Sequence, residues 1–223
     1  MDNVLITGAN RGIGLALAQV HAARGDRVIG VCRHTSGELE ATGAQVEAGV
    51  DVTDDAALAA LAQRLRGVRV QRAWLNAGVL ERDKLGSIDA NGFESLRRQF
   101  EVNSLGPLRV AQALLDNLPS GAKLAIVTSR MGSVADNDSG GYYGYRASKA
   151  AVNAIGKSLA VDLRPRGVAV YLLHPGYVAT DMVGGNGDIP PAVAAQRLVK
   201  VVDGLDMDES GSFHHSNGSE LPW

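Results

Sequence analysis

The chain has 223 residues, 45% of them hydrophobic, which is enough apolar material to fill one sizeable α/β core. A formal net charge of −2 points to neither a nucleic acid nor an acidic membrane as partner, and the lone Cys32 excludes an intrachain disulfide framework. Residues 1–8 lack a basic leader and a long apolar run, and no apolar stretch approaches the ~18 residues of a membrane helix, so a soluble cytoplasmic protein is expected.

Residues 4–6 read as a first strand that ends in Thr7-Gly8-Ala9-Asn10-Arg11-Gly12-Ile13-Gly14. A helical pattern follows over residues 13–24, carried by Leu15, Leu17, Ala18 and Val20, and Gly25 stops it. Strand, glycine-rich turn and helix form a dinucleotide-binding layout. Glycines let the backbone approach a pyrophosphate, and the helix N-terminus offers free N–H groups and a positive dipole end. The spacing is Gly-x-x-x-Gly-x-Gly, and an ordinary tight turn is the bland alternative.

A second strand covers residues 27–32. A chain that selects the unphosphorylated cofactor usually ends this strand with an acid for the ribose 2′-hydroxyl. Here the residues are Cys32-Arg33-His34. Arg33 would meet a 2′-phosphate, with Arg11 flanking it, so NADP(H) is expected over NAD(H).

Residues 35–44 read as a loop, and residues 45–50 as a weak third strand leading into Asp51-Val52-Thr53. The next helix starts at Thr53-Asp54-Asp55 and places Ala56, Leu58, Leu61 and Leu65 on one face. Asp51 either caps that helix or touches an adenine amino group. Residues 73–75 form a fourth strand before Asn76-Ala77-Gly78, and residues 91–118 read as two helices meeting near Asn103. Strand five, residues 123–127, leads into Thr128-Ser129-Arg130-Met131-Gly132 and then a linker rich in Asp, Ser and Gly.

A long helix then stops before Pro165. If it already runs from Tyr145, Tyr145 and Lys149 sit four apart on one face. A nearby ammonium lowers a phenol's pKa from its usual value of about 10, and a phenol so tuned can exchange a proton with an alcohol or carbonyl oxygen. Strand six, residues 168–173, ends in His174-Pro175-Gly176, and Pro190-Pro191 opens a last helix. Residues 210–215 read as a seventh strand. Strands alternating with amphipathic helices argue for one doubly wound α/β domain over residues 1–223, with a mostly or wholly parallel seven-stranded sheet.

Together these residues resemble the short-chain dehydrogenase/reductase family over essentially the whole chain. Thr7, Gly8, Asn10, Arg11, Gly12, Ile13 and Gly14 match its cofactor loop, Asp51-Val52 its adenine contact, and Asn76-Ala77-Gly78 its motif after strand four. Asn103, Ser129, Tyr145 and Lys149 match its catalytic set. Pro175-Gly176-Tyr177-Val178-Ala179-Thr180 is similar to the segment that reaches the nicotinamide. The run Ser129-Arg130-Met131-Gly132-Ser133, the stretch before Tyr145 and the ending Asn217-Gly218-Ser219-Glu220-Leu221-Pro222-Trp223 are closest to the C-factor and sniffer-type carbonyl reductase branch.

The resemblance implies a cofactor-binding part over about residues 1–120 and a catalytic and substrate part over about 121–223. It implies hydride transfer between NADP(H) and a carbonyl or alcohol. Tyr145 would be the acid or base, Lys149 would lower its pKa and bind the nicotinamide ribose, and Ser129 would polarise the carbonyl. Asn103 would hold a water linking Lys149 to solvent. Many members place the serine where Gly132 stands, thirteen residues before Tyr145. Ser129 precedes Tyr145 by sixteen and directly follows the strand, so it is preferred, with an insertion in residues 134–144 and Ser133 as fallback. Met131, Tyr142, Tyr143 and Tyr177 are candidates for an apolar substrate pocket, and residues 182–189 for part of its lid. No metal is expected, since His214 and His215 are adjacent and point to opposite faces of a strand. The resemblance also implies a homodimer or homotetramer. The alternative reading is a cofactor-binding signalling protein of C-factor type with little turnover.

Overall fold

Seven short apolar runs become seven strands of one sheet in the computed structural model, which describes all 223 residues. They are β1 (Asn3–Thr7), β2 (Arg27–Val31), β3 (Gln45–Glu47), β4 (Arg72–Leu75), β5 (Lys123–Val127), β6 (Ala169–His174) and β7 (Phe213–His215). Their order is β3-β2-β1-β4-β5-β6-β7, and every pair is parallel.

Helices cover both faces, so the strands are buried on both sides and read as near-continuous hydrophobic runs. The helices are α1 (Gly12–Ala23), the single turn α2 (Gly37–Glu40), α3 (Asp55–Arg64), α4 (Ala90–Phe100), α5 (Gly106–Ala113), α6 (Tyr143–Leu163) and α7 (Pro191–Gly204). Alternation along β5 divides the core. Leu124 and Ile126 join the cluster with Leu58, Leu61 and Val152 on the α3, α5 and α6 side. Ala125 and Val127 join the cluster with Leu17, Leu198 and Val202 on the α1 and α7 side. No helix is long and apolar enough to cross a membrane.

The chain winds outward from β1 through β2 to β3, then crosses back to build β4 to β7. The carboxyl ends of β1 and β4 therefore diverge, which opens a crevice at the switch point.

Three local expectations need correction. Residues 35–44 are not all loop: Ser36 Oγ accepts the Leu39 N–H at 3.2 Å and caps the short turn α2. The cap of α3 is Asp54, which accepts from Ala56 N at 2.9 Å and Ala57 N at 3.0 Å. Asp51 folds onto Thr53 and caps nothing. The third and seventh strands are shorter than the expected residues 45–50 and 210–215, at Gln45–Glu47 and Phe213–His215. The junction within residues 91–118 is a π-helical turn, Glu101–Leu105, which carries Asn103 between α4 and α5.

Candidate active site

The crevice is one cavity of about 1270 Å³ along the carboxyl ends of the strands. Gly8, Asn10, Arg11, Gly12 and Ile13 line it where the glycine-rich turn enters α1. No side chain caps the first turn of α1, which leaves its positive end for a ligand. Gly14 supports the turn from behind: a Cβ there would stand 2.1 Å from Gly8 O.

Thr7 is also behind the cavity. Its hydroxyl donates to Trp74 O at 3.4 Å and accepts from Asn76 N at 3.0 Å and Ala77 N at 3.1 Å, so it ties β1 to the segment after β4. Asn76 completes the brace by donating to Thr7 O at 3.1 Å. These bonds present Asn76, Ala77 and Gly78 to the cavity beside the glycine turn.

Arg33 lies at the end of β2, with Nη1 3.8 Å from an Asp51 carboxylate oxygen, and both line the cavity beside Val52. The Thr53 hydrogen bonds and Arg33 together hold Asp51 below the usual carboxylate range against an opposing effect of burial. Arg11 does not join Arg33 in an ion pair with Asp51. Its guanidinium reaches Asp181, 3.4 Å away in the segment after β6.

The four expected catalytic side chains come from three segments. Ser129 follows β5 and accepts the Met131 N–H at 3.1 Å. Tyr145 and Lys149 lie one turn apart on the buried face of α6. Asn103 comes from the π-helical turn, whose wider coil aims it at α6. Ser133 faces away, with its hydroxyl accepting Asp136 N at 3.1 Å, and it does not line the cavity.

Electrostatics here depart from the expected tuning. Burial pushes the Tyr145 phenol up to about 12, only partly offset by the Ser129 hydroxyl beside it. Burial also pulls Lys149 down to about 8. The Lys149 ammonium is 5.7 Å from the centre of the Tyr145 ring and donates to Val127 O at 3.0 Å. Desolvation is the largest influence on both groups, which leaves the phenol above its usual value and the ammonium below its own.

Asn103 is likewise more committed than expected. Its amide nitrogen donates to Val79 O at 2.8 Å and Ser148 Oγ at 3.0 Å, while its Oδ1 accepts Val79 N at 2.8 Å. Both amide hydrogens are used, and only a second lone pair on Oδ1 is left for a water. Asn103 sits behind the cavity wall and ties α6 to the segment after β4.

Pro175, Gly176, Tyr177, Val178 and Thr180 form the wall after β6, and Met131 and Tyr142 line the same cavity as Tyr145. Tyr142 is the only non-glycine residue with positive φ, at 52°, a strained left-handed position immediately before α6. Asp83 secures that position: its carboxylate accepts the Tyr143 N–H and, at 3.1 Å, the Gly144 N–H. Sequence reading missed Asp83, Arg82, Arg146 and His174. His174 ends β6 on the cavity and stacks edge-on against His215 at 4.9 Å, and its position just before Pro175-Gly176 was the available signal.

A wholly parallel, doubly wound sheet with a glycine-rich turn at its switch point defines a Rossmann-type nucleotide-binding fold. Residues 2–188 match the model of the short chain dehydrogenase family, and the chain belongs to the short-chain dehydrogenase/reductase family. It is 45% identical to 1-hydroxy-2-glutathionyl-2-methyl-3-butene dehydrogenase of Rhodococcus sp. (strain AD45), over the full length of both chains. It is 46% identical over 141 residues to the C-signal protein of Myxococcus xanthus, spanning 62% of this chain and 83% of that one. Among solved structures, the NADPH-bound carbonyl reductase from chicken fatty liver matches with a TM-score of 0.89 at 27% identity, covering 100% of this chain and 99% of that one. This chain is therefore an oxidoreductase of the short-chain dehydrogenase/reductase family, similar in fold to an NADPH-bound carbonyl reductase.

Proposed function

We propose that this oxidoreductase interconverts an aldehyde or ketone with its alcohol at the Tyr145 phenol, and that NADP(H) is its preferred cofactor. The convergence of Ser129, Tyr145 and Lys149 on the cavity at the sheet's switch point carries this reading. The residues present fit a dinucleotide, because Gly14 leaves no room for a Cβ, Gly8 turns the chain at a φ of 66°, and the start of α1 has no side-chain cap.

The bound nicotinamide supplies the hydride in reduction and accepts it in oxidation. Tyr145 is the general acid in reduction: its proton passes to the carbonyl oxygen as the carbon gains the hydride, and an alcohol results. Ser129 donates a hydrogen bond to the same oxygen as negative charge builds there. Lys149 binds the nicotinamide ribose, and its positive charge restrains the phenolate left on Tyr145. Asn103 braces α6 so that Tyr145 and Lys149 keep their register.

Gly8, Asn10, Arg11, Gly12 and Ile13 hold the pyrophosphate, and Thr7 and Gly14 shape that turn from behind. Arg33 takes the 2′-phosphate, Asp51 and Val52 flank the adenine, and Asn76, Ala77 and Gly78 line the ribose side. Pro175, Gly176, Val178 and Thr180 wall the nicotinamide. Met131, Tyr142 and Tyr177 form the substrate wall.

The relatives support both directions: the chicken protein is a carbonyl reductase, and the Rhodococcus protein is a dehydrogenase of a hydroxylated glutathionyl compound. The test is NADPH consumption with a panel of aldehydes, quinones and diketones, beside NADP⁺ reduction with the corresponding alcohols. The likeness to the C-signal protein favours a second reading, a cofactor-binding regulatory protein with little turnover. Tight NADPH binding without consumption across the whole panel would select that reading.

A further inference from the structure

Arginines around the substrate end of the cavity differ in one respect. Arg130 is paired with Asp136, Arg97 with Glu94 and Arg98 with Glu81. Arg146 and Arg82 also line the cavity, and neither has a carboxylate partner.

Arg146 directly follows Tyr145 on α6. Its guanidinium is held by neutral acceptors only: Nη2 donates to Ser139 Oγ at 2.8 Å and Nε to Gly140 O at 3.3 Å. Those bonds orient the guanidinium and leave several of its five N–H donors unused. Arg82 directly precedes Asp83, whose carboxylate bonds the Tyr143 and Gly144 amides, so the backbone at Arg82 is pinned to the start of α6. The nearby acids are committed elsewhere: Asp83 to those amides, Asp136 to Arg130, and Asp138 faces Arg130 as well. Arg82 and Arg146 thus bring two guanidiniums without a carboxylate partner to the cavity that Tyr145, Met131 and Tyr142 also line.

We infer that Arg82 and Arg146 bind a carboxylate on an arm of the substrate, so that the compound turned over is an aldehyde, ketone or alcohol with an anionic extension. This rests on the carbonyl–alcohol reading of the site and adds the chemical class of the substrate. A charged guanidinium recognises a carboxylate through paired N–H donors, and a neutral ester of the same shape offers it no charge. Each charge-assisted bond is worth about tenfold or more in affinity, reduced by salt at this open end of the cavity.

The test uses NADP⁺-loaded protein and calorimetric titration with 4-(hydroxymethyl)benzoate and 3-[4-(hydroxymethyl)phenyl]propanoate, two arm lengths, each beside its methyl ester. The wild type is expected to bind at least one acid about tenfold or more tighter than its ester. The acid-to-ester ratio should fall towards one in the Arg82→Gln/Arg146→Gln double variant, and Arg146→Lys should retain part of it. NADPH titration of each variant checks that the cavity is formed. Equal binding of acid and ester at both lengths, binding of neither, or a ratio unchanged in the double variant overturns the inference. NADPH consumption with the matching aldehydes separates the two levels. Acid-selective binding without turnover of any carbonyl sinks the reductase reading and leaves only the carboxylate site at Arg82 and Arg146 standing. Turnover that ignores the carboxylate does the reverse.

Discussion

Lys149 stands 5.7 Å from the centre of the Tyr145 ring yet gives its hydrogen bond to Val127 O, at 3.0 Å, and not to the phenol. Both side chains are buried on α6, so each is driven towards its neutral form. A phenol at about 12 is fully protonated at neutral pH and ready to donate. An amine at about 8 is still mostly charged there, but only by a narrow margin.

Replacing Tyr145 by Phe keeps the ring and removes the proton donor alone. General acid catalysis typically contributes ~10²–10⁴-fold. Turnover should fall by about that factor, and NADPH affinity should change little. Steady-state kinetics with a substrate from the carbonyl panel, beside a cofactor titration, measures both. Near wild-type turnover would remove Tyr145 from the mechanism.

Ser129 borders the cavity beside the phenol, whereas Ser133 spends its hydroxyl on Asp136 N at 3.1 Å. Ser129→Ala should therefore cost turnover strongly, since loss of one donor to a developing oxyanion is worth roughly 10²–10³-fold. Ser133→Ala should reduce turnover little and lower stability by about 1 kcal/mol through the lost loop bond. The opposite ranking of the two variants in kcat would mean that Ser133 is the polarising hydroxyl.

Arg33 and Arg11 should separate in their effect on cofactor choice. Arg33 sits at the end of β2, 3.8 Å from Asp51, and Arg11 is turned onto Asp181. Arg33→Ala should weaken NADPH by about ten- to a hundredfold and NADH hardly at all. Arg11→Ala should have a smaller effect. Wild type should prefer NADPH by about ten- to a thousandfold, less as ionic strength rises. Fluorescence titration of both cofactors is the measurement, and equal wild-type affinities would refute the assignment.

Lys149 makes stability depend on pH. Its folded pKa of about 8 lies below the ordinary lysine value of 10.5, so between these values the unfolded chain binds more protons. Burial of the charge is therefore fully destabilising below pH about 8, and the cost disappears as pH rises towards 10.5. Lys149→Met should be more stable than wild type at pH 7, by at most roughly 3 kcal/mol before the lost bond to Val127 O is counted. That advantage should shrink at pH 10. Urea unfolding of both proteins at the two pH values tests this, and a difference independent of pH would show that Lys149 carries no such shift.

Much of this protein is legible from short-range pattern. The order of strand, glycine turn and helix follows from neighbouring residues, because apolar periodicity and turn chemistry act over a few positions. The pairing of Tyr145 with Lys149 on one face is also local, since four residues make about one helical turn. Asp54 as the cap of α3 could have been separated from Asp51 by its position immediately before Asp55.

Other features needed the tertiary structure, because they depend on segments far apart in the chain. Ser129 differs from Ser133 only in what each hydroxyl meets once β5 and α6 are packed. Thr7 belongs to the cofactor-loop motif, yet the packing of β4 against β1 turns it inward as a brace. Arg11 meets Asp181 only because the segment after β6 folds over the glycine turn. The Tyr145 phenol is raised because desolvation is set by everything packed around it, which a spacing of four residues does not encode. Arg82 and Arg146 line one cavity because Asp83 fastens the segment after β4 to the start of α6, a meeting that long-range packing alone decides.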